Sequence, residues 1–301
     1  MRRYLMQHGL LLVAFLFVLA GCSSPTLRSA GTQTNVTPAM WQITSDASDV
    51  YLFGSFHSLP SGIVWYGGPV ADAFEASDEL VVESVDSPEE ARKALLLLES
   101  KALLPDGKTL DEYVDKETYT ELMESADKLG LSRWRVSRSQ PWFLSIMFAY
   151  EGMSKAGIHK EYGVDSLLEQ TAARRRMKII GLETASEALD TLASQPLKIQ
   201  VRRLQEKLRE EQSQVSSLAS LFQAWAYGDE KGLARLMRKE MTNEEYQRVL
   251  VARNRRWLPR VEKHIVSSGK TMIVVGAAHL VGDQSLVAML KSRGYEVNRI
   301  Q

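Results

Sequence analysis

The chain has 301 residues, 45% hydrophobic and 25% charged, with 37 basic side chains against 37 acidic ones. A length of this order fills one large domain or two small ones. A formal net charge of zero removes any bulk electrostatic case for nucleic acid, an acidic substrate or an anionic membrane surface as partner.

Arg2 and Arg3 give a positive start, and residues 10–20 form an unbroken apolar run. That run is short for a membrane span and the right size for a signal-peptide core. It ends in Leu19-Ala20-Gly21-Cys22, and Cys22 is the one cysteine in the chain. Small residues before a lone cysteine resemble the lipobox of bacterial lipoproteins. Residues 1–21 therefore read as a lipoprotein signal peptide and Cys22 as the lipidated residue. Such an anchor places the protein at the bacterial cell envelope, on the outer membrane facing the periplasm. With Cys22 lipidated, the rest of the chain has no disulfide and no thiol chemistry. Residues 22–38, rich in Ser, Thr and Gly, read as a flexible tether.

The body of the protein then spans 39–301. Residues 40–44 and 50–53 read as two strands joined by a polar turn. A loop marked by Pro60, Gly62, Gly67 and Gly68 leads to an amphipathic helix over 70–76 and a strand over 79–83. Strand–helix–strand units pair parallel by default. The C-terminal segment repeats the plan, with a strand over 272–275, a helix over 284–292 and a final strand over 295–300. Between them, helical periodicity covers 88–104, 116–129, 141–156, 163–176, 197–221 and 243–268, interrupted by one strand over 177–180. The fold class is α/β, with α+β as the alternative: a small mixed or parallel sheet built from both ends of the chain. Residues 39–87 and 269–301 are its sheet units, and 88–268 is a mainly helical segment packed on it.

Two of the strands end alike. Val50-Tyr51-Leu52-Phe53 runs into Gly54-Ser55-Phe56-His57, and Met272-Ile273-Val274-Val275 runs into Gly276-Ala277-Ala278-His279. Each glycine allows a turn or a close approach at the strand's carboxyl end. There, in a parallel sheet, side chains project into the crevice where ligands bind. Glu83 ends the strand of the first unit and emerges at the same rim. Two imidazoles and a carboxylate are enough for a metal site that keeps a position open for water. The plainer alternative is a pair of hydrogen-bonded structural histidines with Glu83 paired to an arginine. No His-Glu-x-x-His helix is present, which excludes a zincin arrangement. His159 falls in a loop and His264 on a polar helix. Trp142 and Phe143 read either as core or as the wall of a peptide groove, core being the commoner outcome. Glu183 reads either as a fourth carboxylate at the rim or as a first-turn helix residue, with helix capping the favoured reading. Asp165 reads either as a cap of the helix beginning at Gly163 or as a site residue.

Gly54-Ser55-Phe56-His57, the glutamate of Val81-Val82-Glu83 and Gly276-Ala277-Ala278-His279 together resemble the signature of the TraB/PrgY/GumN family, which is related to the Tiki metalloproteases. Glu161-Tyr162-Gly163-Val164-Asp165, Gly181-Leu182-Glu183-Thr184 and Arg253-Asn254-Arg255-Arg256 resemble further blocks of it. The resemblance runs from about Trp41 to the C-terminus. It implies a metal-dependent hydrolase, proteolytic in the Tiki members, that uses manganese or cobalt, with zinc as a further candidate. His57, Glu83 and His279 match the metal or catalytic positions, while Asp165, Arg253, Gly54 and Gly276 match supporting ones. His57 is followed by Ser58-Leu59-Pro60, a departure from the family form that bears on substrate contacts. The resulting expectation is a lipid-anchored hydrolase that acts on an extracytoplasmic peptide or protein. A non-catalytic peptide- or ion-binding lipoprotein using the same pocket is the alternative.

Overall fold

The computed structural model describes residues 33–45, 47–85, 88–209 and 213–301. The signal peptide and Cys22 lie outside them. Ten strands occur among the described residues, in chain order β1 (Thr34–Asn35), β2 (Met40–Thr44), β3 (Ser48–Ser55), β4 (Leu59–Pro60), β5 (Ile63–Val64), β6 (Glu79–Ser84), β7 (Ile158–His159), β8 (Lys178–Glu183), β9 (Gly269–Gly276) and β10 (Val297–Arg299). Six of them form one mixed sheet in the order β10-β2-β3-β9-β6-β8.

The expected hairpin is present, with Met40 opposite Phe53 and Thr44 opposite Asp49. Beyond it, β3, β9, β6 and β8 run parallel. Val50, Leu52, Phe53, Val81, Ile273 and Val274 are wholly buried. This is why β3 and β9 read as continuous apolar runs rather than alternating ones: parallel strands covered on both faces have no solvent side. The C-terminal strand β9 lies between β3 and β6 and pairs with both, so the two ends of the chain share one sheet. Their carboxyl ends are held level by the register that sets Ser55 opposite Gly276.

One face of this sheet is covered by the helix Ala252–Val266, which buries Trp257, Leu258, Val261 and Ile265 along one stripe. Ser48 Oγ donates to the Ile265 carbonyl at 2.7 Å and ties the helix end to the start of β3. The helix Gly68–Ala76 connects β3 to β6 and buries Val70, Ala73 and Phe74. Val164–Arg174 precedes β8 and buries Val164, Leu168 and Ala172.

The described chain divides into two compact units. The sheet unit comprises 33–85, 158–184 and 218–301, so it draws β8 and the helix Ala252–Val266 from the middle segment. The other unit, 88–157 with 185–217, is helical. Trp142 and Phe143 pack there with Ala94, Leu98, Ala185 and Leu189, so both belong to a core and not to a groove wall. A second cluster gathers Leu110, Leu122, Leu144 and Leu204.

Four expectations need correction. Residues 34–36 are not tether: β1 pairs with β5 and Val36 is buried. The helix expected over 197–221 is described as Leu197–Arg209 and Ser213–Ala226. The strand expected to stop at residue 180 runs on to Glu183, because Gly181 lets β8 pass close to the Val85 backbone. His159 is not in a loop but pairs with Leu59 in a short antiparallel ladder. Among the described residues, no helix is long and apolar enough to cross a membrane.

Candidate functional site

The carboxyl ends of β3, β6, β8 and β9 deliver His57, Glu83, Glu183 and His279 to one rim of the sheet unit. Gly276 sits among them. A Cβ built there would stand 3.0 Å from Glu83 Oε1, 3.2 Å from His57 Nε2 and 3.7 Å from His279 Cδ2. Only glycine leaves room for the three side chains to meet, and its N–H also donates to Glu83 Oε1 at 2.7 Å. Gly54 allows a matching approach at the end of β3, since a Cβ there would meet Ala277 Cβ at 2.9 Å. The structure thus brings together the two histidines and the glutamate singled out by the sequence.

Each imidazole is pinned through Nδ1. His57 Nδ1 donates to Asp165 Oδ2 at 2.8 Å. Asp165 is therefore a partner of His57 and not the cap of its helix, whose N-cap is Gly163 with no side-chain bond. The helix can start this close because Gly163 has no Cβ, which would stand 2.1 Å from the His57 carbonyl oxygen. The Asp165 carboxylate pushes the His57 pKa up to about 9 against the opposing effect of burial. About half of the His57 side chain remains exposed, so the ring forms the mouth of the site. Glu169, one turn after Asp165, is pushed up to about 7, first by burial and then by the Asp165 charge.

His279 is the inner ring, with 3% of its surface exposed. Asn254 Nδ2 donates to the Gln284 carbonyl at 3.0 Å, which turns Asn254 Oδ1 toward His279 Nδ1 at 2.6 Å. This assigns the proton to Nδ1 and leaves the Nε2 lone pair facing the rim. Burial drives the His279 pKa down to about 3, so the ring is neutral at neutral pH.

Arg253 links the carboxylates. Its Nη2 donates to Glu83 Oε2 and to Glu183 Oε1, both at 2.6 Å, and its Nη1 to His279 Nε2 at 3.2 Å. Its guanidinium carbon lies 4.4 Å from the centroid of the Trp257 ring, and Trp257 Nε1 donates to Glu183 Oε2 at 3.1 Å. Burial favours a neutral Glu83, but Arg253, the two imidazoles and the Gly276 N–H outweigh it and hold the carboxyl well below the usual range. Arg253 and Asn254 come one residue after a π-helical turn over Gln247–Val251. Such turns insert one residue into a helix and re-aim the next side chains, and they concentrate at functional sites.

Of the two readings of Glu183, the favoured helix cap is corrected in favour of the rim carboxylate: it ends β8, is 3% exposed and pairs with Arg253. His264 lies away from the rim, bonded to Glu79 at the first residue of β6. Asn254 and Trp257 were not singled out in the sequence. Asn254 had one signal, its place beside Arg253 in a family block, and Trp257 lies just past that block.

In kind, the donor set suits a divalent ion. It offers the Nε2 of neutral His279, the Nε2 of His57 once that ring gives up its second proton, and a carboxylate, with both Nδ1 positions tied to acceptors. As arranged, the guanidinium takes the faces of His279 and Glu83, and His279 Nε2 stands 3.8 Å from Glu83 Oε1. Among the described residues, no group of three or more His, Cys, Asp or Glu is set to hold an ion.

A mixed α/β protein with two Gly-x-x-His strand ends meeting a buried Glu–Arg–Glu network defines the class. The chain belongs to the TraB/PrgY/gumN family, whose model matches residues 39–299. It is similar to the uncharacterized protein YbaP of Escherichia coli (strain K12), 23% identical over 241 residues, covering 80% of this chain and 87% of that protein. YbaP of Shigella flexneri is likewise 23% identical, over 253 residues, covering 81% of this chain and 92% of that protein. No solved structure matches.

Proposed function

We propose that this chain is a metal-dependent hydrolase that cleaves extracytoplasmic peptides and is held at the envelope by lipid on Cys22. The observation that carries the reading is the meeting of His57 Nε2, Glu83 Oε1 and His279 around Gly276, with both rings fixed through Nδ1. His57 and His279 would hold a divalent ion, with Glu83 either completing its shell or acting as general base; manganese or cobalt is favoured by family resemblance, with zinc as a third candidate. When bound, the ion lowers the pKa of a coordinated water.

The protein's own groups do the rest. Asp165 and Asn254 accept from Nδ1 of the two rings, so both Nε2 atoms face the centre; His279 turns a lone pair there, and His57, held charged by Asp165 in the metal-free protein, would give up its Nε2 proton to bind the ion. As general base, Glu83, ionised and at the rim, would take the proton of the attacking water. Arg253 balances Glu83 and Glu183, which lets two carboxylates share one buried corner without mutual repulsion. The peptide bond is the substrate class to test first, because the Tiki relatives are proteases.

The test is cleavage of a fluorogenic peptide pool by purified protein, with chelator and after restoring manganese or cobalt. Loss on chelation, recovery on restoring the ion, and no turnover by His57→Ala support the reading. Turnover that is indifferent to chelation refutes the metal dependence. A second reading rests on the bonds from Arg253 to His279 and Glu83, which fill the centre with a protein cation. In that reading the rim binds a peptide or ion without cleaving it, and the assay then shows stoichiometric capture without product.

A further inference from the structure

Among the described residues, one buried side-chain polar atom has no hydrogen-bond partner: Ser55 Oγ. Ser55 is 2% exposed and ends β3, inside the first Gly-x-x-His segment. An unpartnered buried hydroxyl is costly, and native proteins rarely keep one without a use. Its place suggests the use. Ser55 lies opposite Gly276 in the parallel β3–β9 ladder. Paired residues on neighbouring strands direct their side chains to the same side of a sheet, with the strands roughly 5 Å apart. The point where a Gly276 Cβ would stand is 3.0 Å from Glu83 Oε1 and 3.2 Å from His57 Nε2. The Ser55 hydroxyl therefore lies one strand spacing from the meeting point of the proposed centre, a gap of the size one water spans between two hydrogen-bond partners.

We propose that Ser55 is a positioning residue whose hydroxyl holds a water against Glu83 Oε1, beside the ring of His57. The hydroxyl donates to the water oxygen, and the water donates to Glu83 Oε1, so its remaining lone pair is aimed outward toward the half-exposed mouth at His57. This rests on the hydrolytic reading above and adds to it the group that orients the nucleophile. It also accounts for a buried serine at the end of a strand in which Val50, Leu52 and Phe53 are wholly buried and apolar.

The test uses the full chain, as wild type, Ser55→Ala and Ser55→Thr. Two readouts are taken: kcat and KM on the peptide pool with manganese, and the melting temperature. Ser55→Ala is expected to keep or raise the melting temperature and to lower kcat by about 10²-fold with little change in KM. Ser55→Thr, which keeps the hydroxyl, is expected to restore most of kcat. A Ser55→Ala protein with wild-type kcat overturns the proposal, whatever its melting temperature, because the hydroxyl is then only a tolerated orphan. If the wild type itself turns over nothing, the hydrolytic reading fails and a crystal structure of the wild type decides the placement. A water bonded to Ser55 Oγ and within hydrogen-bond reach of His57 Nε2 or Glu83 Oε1 supports it. A Ser55 hydroxyl bonded solely to backbone, or to a water that reaches neither side chain, refutes it.

Discussion

Replacing Arg253 with methionine removes one charge and keeps most of the stem, and it should be among the most damaging single changes in the sheet unit. The side chain of Glu183 is 1% exposed and that of Glu83 17%, and both lose their guanidinium partner. Glu183 keeps the Trp257 indole N–H and the more exposed Arg256 at 3.5 Å, while Glu83 keeps the Gly276 N–H. Removing one member of a buried ion pair strands the other charge and costs about 3–5 kcal/mol. At roughly 2–4 °C per kcal/mol for a unit of this size, the melting temperature should fall by about 6–20 °C. The assay is thermal unfolding of the wild type, Arg253→Met, Glu183→Gln and the double variant. Because the glutamine carries no charge to strand, the double variant should recover roughly 1–3 kcal/mol relative to the sum of the single changes. Raised salt should change little, since buried pairs are weakly screened. A fall of less than about 2 °C in Arg253→Met, or a double variant no better than additive, would refute the buried-network account.

Further outcomes follow from the same geometry. Asp165→Asn should bring the pKa of His57 in the metal-free protein down from about 9 toward its ordinary 6.5, read by NMR titration of the ring. Glu79 is held below its ordinary 4.5: burial raises it, but His264, Thr271 and Lys178 together outweigh burial. A depressed carboxylate contributes stability above its unfolded pKa and loses it as the pH falls below that value. Glu79→Gln should therefore lower the melting temperature at pH 7 and flatten its decline below about pH 4.5, with unfolding followed as a function of pH. Cys22→Ser should release the protein from the membrane fraction, and mass spectrometry of the wild type should find lipid on Cys22.

The carboxyl rim was legible from local signals. Apolar β-rich runs ending in glycine mark β3 and β9, and the polar residue closing each run marks what they deliver. The strand order was less so, because β9 enters between β3 and β6 through contacts nearly the whole chain apart, which no local pattern encodes. The preference for Glu183 as a helix cap over a rim carboxylate failed for a specific reason. Gly181 reads as a strand end in a sequence, yet here it gives the clearance that carries β8 two residues further to the rim. Asp165 was legible only as a cap-or-site alternative and Asn254 only within a family block, since an acidic first-turn residue and a helical asparagine have commoner uses. Their roles come from the distant rings they meet.

The account turns on one claim, that His57, Glu83 and His279 form a single ion-binding centre. Metal analysis of the purified protein, equilibrated with manganese or cobalt and then desalted, tests it without a substrate. The account predicts one ion per chain in the wild type, lost in His57→Ala and in His279→Ala, and kept in His264→Ala, whose ring lies at the far end of β6. An absence of bound ion in the wild type, or the same content in His57→Ala and His279→Ala, would contradict it.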